Sequence, residues 1–177
     1  DDSGVWTLGP GLAKLAATMP DPLAEAASSV LPRLRELTDE SIQVYRRDGD
    51  RRVCVASAEP LTGLRDTVPV GAHMPMSGGS AAKVLAAWAD SATQRSLLAD
   101  AVYTERHLAE IRRRGWAQSV AEREPGVASI AAPIRDANGA VIAAISVSGP
   151  VDRIGRRPGV RWASDLLSAA EAISRRL

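Results

Sequence analysis

Two arms of sequence decide the fold: Val127-Ala128-Ser129-Ile130-Ala131-Ala132-Pro133-Ile134-Arg135 and Ala140-Val141-Ile142-Ala143-Ala144-Ile145-Ser146-Val147-Ser148, joined through Asp136-Ala137-Asn138-Gly139. Both arms have strand length and composition, and Asn-Gly is a strong signal for a tight hairpin turn. Strands joined by so short a connection run antiparallel. Pro133 cannot donate a ladder hydrogen bond, so its part of the first arm is expected at an edge, a bulge or a strand end.

Upstream the same period of two returns. Ile42 and Val44 alternate with Gln43 and Tyr45, Asp48-Gly49-Asp50 makes a turn, and Val53 and Val55 alternate with Cys54 and Ala56, giving a second hairpin. A third strand is expected from Asp66 to Val70. Helical spacing fills the rest. A short helix is expected over residues 11–19. The next opens at Asp21, an N-cap type residue followed by Pro22, and buries Leu23, Ala26, Ala27, Val30, Leu34 and Leu37 with a bend at Pro32. Gly78-Gly79-Ser80 leads into a helix from Ala81 to about Ala89, with Ser80 as the expected cap. Polar, Arg-rich helical sequence from about 91 to 114 stops at Gly115. A closing helix presents Val160, Ala163, Leu167, Ala170 and Ile173 on one face. This order predicts an α+β domain, an antiparallel sheet flanked by helices, rather than a doubly wound parallel sheet. Sensor domains of the GAF type share that layout.

The 177 residues, 45% of them hydrophobic, suffice for one core, and a formal net charge of +1 gives no overall field that would gather phosphate backbones or anionic lipid. The single cysteine, Cys54, excludes an internal disulfide and a cysteine metal cluster, and is expected as a small buried side chain in a strand. No membrane span or signal peptide is legible, so a cytoplasmic location is expected. The chain begins at Asp1 without an initiator Met, which reads as a cut inside a longer protein.

Four features point to a small-molecule pocket. The helix start at Ser80 and Ala81 exposes N–H groups and the positive end of the helix dipole, a ready site for carboxylate or phosphate, although an ordinary capped start has the same sequence. Ser146 and Ser148 project from one face of a strand whose other face carries Ile145 and Val147; under a covered face they need partners that a ligand would supply, and otherwise they face solvent. Ser129 on the adjacent arm adds a third hydroxyl. Leu64, Met74 and Val127 are the expected apolar wall, or else plain core. Ser119, after Gly115-Trp116, lies at the mouth of the same hairpin. Enzyme chemistry finds no support: His73 and His107 form no pattern with Cys54 or a serine, and no nucleophile-elbow, zinc-protease or phosphate-loop motif occurs. No cofactor is implied.

An ordered set of segments now carries a resemblance. Trp6-Thr7-Leu8-Gly9-Pro10, Val70-Gly71 through Met74-Pro75-Met76 to Ser80-Ala81-Ala82-Lys83, Arg114-Gly115-Trp116-Ala117, Glu124-Pro125-Gly126-Val127 to Ala132-Pro133-Ile134, and Ile145-Ser146-Val147-Ser148-Gly149-Pro150 resemble the effector domain of IclR-type bacterial transcription regulators. The wording at Gly63 to Gly71 and Arg123 to Ser129 is most similar to the actinobacterial NdgR and LtbR branch, which controls leucine and other amino-acid biosynthesis genes. The resemblance implies that residues 1–20 are the end of a DNA-binding wing and a linker helix, that residues 21–177 are the effector-binding domain, and that promoter DNA is bound through a winged helix-turn-helix outside this chain, by dimers or tetramers. It implies an effector carboxylate at Ser80 and Ala81, with Ser119, Ser129, Ser146 and Ser148 lining the pocket. Ser119 stands where many relatives have Asp, so a 2-keto or hydroxy acid fits as well as an amino acid. The competing expectation is an oligomerisation module without a functional pocket.

Overall fold

The computed structural model describes residues 21–177; the expected wing end and the helix at 11–19 lie outside them. Two short helices, α1 (Pro22–Ser28) and α2 (Leu31–Thr38), precede the hairpin β1 (Ser41–Asp48) and β2 (Arg51–Ala58). Then follow β3 (His73–Pro75), α3 (Ser80–Ala87), α4 (Ser91–Leu98), α5 (Glu105–Arg114), β4 (Ala117–Val120), the hairpin β5 (Val127–Arg135) and β6 (Val141–Pro150), α6 (Val151–Ile154) and α7 (Pro158–Ser174). The six strands form one sheet in the order β3-β2-β1-β6-β5-β4, antiparallel at every step. The expected α+β architecture is therefore present, with helices on both faces.

Strand alternation sorts the side chains into two cores. On one face Ile42, Val44, Ile130, Ile145 and Val147 pack against Leu23, Leu31 and Leu34 of α1 and α2 and against Trp162, Leu166 and Ile173 of α7. On the other, Tyr45, Cys54, Ala131 and Ala144 meet Val84 and Leu85 of α3 and Leu108 and Ile111 of α5. Burying each large aliphatic side chain contributes roughly 1.5–3 kcal/mol. Cys54 is buried as expected, and desolvation pushes its thiol up to about 11, which keeps it protonated and unreactive at neutral pH.

Several local expectations are corrected. Asp66 to Val70 is not a strand: Pro69 has no N–H to give, and the backbone reaches the sheet only afterwards, where Cys54 N donates to the Ala72 carbonyl and Gly71 N to that of Cys54. The segment 91–114 is two helices, the second capped by Thr104. Pro32 starts a new helix rather than bending a long one. The buried residues of α7 include Trp162, Leu166 and Ala169 beside the expected Ala170 and Ile173, whereas Val160 is 84% and Leu167 37% exposed. Ala and Leu occur on two neighbouring stripes of this helix, so apolar spacing alone did not fix its rotation. Pro133 is where its chemistry requires: β4 covers β5 only over Ala128–Ala131, so the β4-facing edge at Pro133 has no strand neighbour.

Asp21 behaves as a cap, its Oδ1 accepting from Leu23 N at 3.0 Å, and it also pairs with Arg46 of β1 at 2.9 Å. Asp21→Ala removes both, and the expected loss is about 1 kcal/mol, read as a lower urea midpoint at unchanged slope.

Candidate functional site

The sheet register draws a row of serines across four strands. Ser41 of β1 lies opposite Ser148 of β6, Ser148 opposite Ser129 of β5, and Ser129 opposite Ser119 of β4. Two residues along, on the same face, Gln43 lies opposite Ser146. These side chains sit on the α3 side, where the helix start covers them. The Ser80 hydroxyl meets that of Ser129 at 2.7 Å. The Ser41 hydroxyl is buried with no hydrogen-bond partner.

Between this row and α3 is a cavity of about 20 Å³ lined by Ser80, Ala81, Ser119, Val127, Ser129, Ser146 and Ser148, seven of the nine expected site residues. That volume holds about one water molecule. The structure places Leu64 and Met74 elsewhere. Leu64 is 73% exposed and lines an outer cleft, and Met74 lies on β3 opposite Arg52, packed beside the second core.

The helix start also departs from expectation. Gly79, not Ser80, is the N-cap of α3; its φ of 98° lies in the left-handed region that glycine adopts without strain. Gly79 N donates to Glu122 Oε2 at 3.2 Å, while the other carboxylate oxygen of Glu122 pairs with Lys83. Glu122 thus takes the first free amide of the helix, and the Ser80 and Ala81 amides are left beside the cavity.

Ser146 and Ser148 already have a partner. Gln43 Nε2 donates to the Asp66 carbonyl at 3.0 Å, which turns Gln43 Oε1 toward the serines, and both hydroxyls donate to it, at 3.2 and 2.9 Å. Their remaining lone pairs are acceptors. The row therefore offers acceptor oxygens, with the donors concentrated at the helix start and on two arginines.

Those arginines, with Tyr45 and Asp66, are the part of the lining that sequence reasoning missed. Arg123 Nη2 binds both carboxylate oxygens of Asp66 at 2.7 Å. Burial alone would lower its pKa, but the charge and hydrogen bonds of Asp66 outweigh burial and raise it. Arg52 is different. It is 3% exposed, donates to the Pro75 and Gly78 carbonyls, lies over the Tyr45 ring with 5.3 Å to the centroid, and leaves Nε without a partner. No carboxylate among the described residues pairs with it. Burial first, and the nearby charge of Arg123 in the same direction, push its pKa down to about 10, so it stays charged at neutral pH. Its signal was parity: Arg52 stands two residues before Cys54 on one strand, so the reading that buries the thiol buries the guanidinium too.

Comparison with known proteins follows the same lines. The family described as bacterial transcriptional regulator IclR, C-terminal, matches residues 16–175. The HTH-type transcriptional regulator KdgR of Escherichia coli is 28% identical over 165 residues, covering 86% of this chain and 63% of its own. The HTH-type transcriptional regulator BhcR of Paracoccus denitrificans is 31% identical over 166 residues, covering 86% and 59%. The chain thus spans about three fifths of these curated relatives. Among solved structures, the C-terminal domain of E. coli KdgR superimposes with a TM-score of 0.75 at 25% identity, covering 88% of this chain and 98% of that one.

Proposed function

Given that the chain belongs to the IclR family of bacterial transcriptional regulators, we propose that residues 21–177 are the effector-sensing domain of such a regulator and that the effector is a small carboxylate. The observation that carries this reading is Arg52, a buried guanidinium on the cavity wall with no carboxylate partner. A lone buried charge costs several kcal/mol in desolvation, and an anionic ligand offsets that cost. The Ser80 and Ala81 amides add donors to the same anion, and Ser119, Ser129, Ser146 and Ser148 supply hydroxyls for the rest of the ligand. An amino acid or a 2-keto or hydroxy acid matches this division, and the wording of the sequence supports leucine-type biosynthesis genes as targets. In this reading residues 1–20 are the end of the DNA-binding wing and a linker helix, and the N-terminal winged helix-turn-helix they belong to binds promoter DNA as a dimer or tetramer in the cytoplasm. The effector biases the DNA-binding arrangement through its differential affinity for two states, by roughly 1–3 kcal/mol.

Titration calorimetry with leucine, valine, ketoisovalerate, lactate and isovalerate checks this. At least one of these carboxylates is expected to bind, and its neutral amide is not. The cavity volume favours a second reading, an oligomerisation module whose pocket is filled by its own side chains. Silence across the panel, with Ser146→Val leaving regulation unchanged, selects that reading.

A further inference from the structure

An organic acid has several heavy atoms and the cavity has room for about one, so binding requires a wall to move. Two walls are shared with clefts on the outside. Ser119 also lines a surface groove with Lys83 and Glu122, and Asp66, together with Val127, also lines a cleft of about 350 Å³ that includes Leu64. The Ser119 wall is β4, laddered to β5 along its length, and it does not swing without breaking that ladder. The Asp66 wall is built differently. Residues 61–72 contain no helix or strand, and Leu61 and Leu64 are 87% and 73% exposed. From Val68 onward the segment is fixed by a buried side chain and the Gly71 and Ala72 backbone bonds to Cys54. Before Val68, its side-chain ties to the rest of the domain are the Asp66 carboxylate on Arg123, the Asp66 carbonyl on Gln43, the Leu64 carbonyl accepting from Arg153 at 2.8 Å, and Arg65 and Thr67 on Glu59 beside the end of β2.

We propose that the Asp66 carboxylate is a built-in stand-in for the effector's carboxylate, and that binding exchanges one for the other; the proposal rests on the carboxylate reading above. Asp66 is hydrogen-bonded to Arg123 and reaches Arg52 only through its charge, leaving Arg52 Nε without a partner. An incoming carboxylate has two oxygens, one for each guanidinium, and so satisfies a group that Asp66 does not. That difference drives the exchange, because a ligand shifts a conformational balance only through contacts that one state makes and the other lacks. The displaced Asp66 takes residues 61–67 outward, which joins the cavity to the outer cleft and turns Leu64 into part of the enlarged site. Arg123 keeps one carboxylate partner throughout, so the exchange leaves no new buried charge. Arg65 at 2.9 Å and Thr67 at 3.1 Å also donate to Glu59, the residue that follows β2, so the segment pivots about the end of that strand or gives up these two bonds as it moves.

Two measurements test this with leucine, ketoisovalerate, lactate and isovalerate as probes. Calorimetry compares the wild-type chain with Asp66→Asn, in which the competing charge is gone; affinity is expected to rise about tenfold. Trypsin cleavage after Arg65 in the wild-type chain follows the segment directly, needs no variant to fold, and is expected to quicken several-fold on saturation with the acid and not with its neutral amide. Equal affinities for the two proteins, or cleavage that the bound acid leaves unchanged or slows, overturn the exchange and leave the carboxylate reading standing. Absence of binding to both proteins overturns the two together.

Discussion

Arg52→Met is expected to weaken carboxylate binding about a hundredfold while leaving the fold nearly as stable as before. The two effects separate because Arg52 contributes to them with opposite sign. The variant gives up hydrogen bonds to the Pro75 and Gly78 carbonyls, about 1 kcal/mol each in net terms. It also relieves the desolvation of a buried charge without an anionic partner, which costs several kcal/mol, and methionine fills much of the space left by the side chain. For the ligand there is no such compensation. Loss of a charge-assisted bond in a buried site costs about 3 kcal/mol or a hundredfold in Kd. Thermal unfolding with and without ligand reads both at once. An acid at a hundred times its Kd stabilises the wild type by about 2.7 kcal/mol. At the same concentration the variant sits near its own Kd and gains about 0.4 kcal/mol by the same linkage. A variant that binds as tightly as the wild type would remove Arg52 from the site.

The second large effect concerns the fold. Gly159, in the first turn of α7, lies flat against the Trp116 indole: a Cβ there would stand 2.0 Å from Cη2 and 2.3 Å from Cζ3 of the ring. The ring has little freedom to yield, since the Arg114 guanidinium lies over it with 3.8 Å to the centroid and Arg114 Nε donates to the Trp116 carbonyl at 2.6 Å. Gly159→Ala is therefore expected to cost about 3 kcal/mol through overpacking, a fall in Tm of roughly 6–12 °C for a domain of this size. Trp116→Leu in the same chain should recover most of that loss, because the two substitutions share one contact and are not additive. Equal losses with and without Trp116 would show that the methyl group is not meeting the ring.

The legibility of this domain followed the alternation of its strands. The β5–β6 hairpin, the β1–β2 hairpin and the shared face of Ser146 and Ser148, opposite Ile145 and Val147, are readable because side chains on a strand change face at every residue; which of the two faces is covered is not. The same rule held more than was taken from it. Gln43 and Arg52 sit on the inward parity of their strands, yet polar residues between apolar ones suggest a wet face, and a sheet covered on both sides removes that inference. Strand β4 was missed because four residues, Ala117-Gln118-Ser119-Val120, are too few to show a period. Asp66 and Arg123 are 57 positions apart, in segments without repeating structure, so their pairing depends on tertiary contact that no local pattern encodes. The phase of α7 is legible only in part, since Ala170 and Ile173 are buried as expected but Val160 and Leu167 are not: alanine occurs on both candidate stripes and discriminates poorly between buried and exposed.

The central strand β6 divides the serine-lined cavity from the core that α1, α2 and α7 cover. Ser146 and Ser148 border the cavity, and Ile145 and Val147, their immediate neighbours in the chain, are keyed among the helices that follow residue 20. On the effector reading proposed above, a sideways displacement of this strand by a bound acid is expected to be felt on the far side through the same few covalent bonds. A relay of intermediate residues is unnecessary in such a design, and conservative changes at Ile145 or Val147 would alter how loudly the message arrives without touching the messenger.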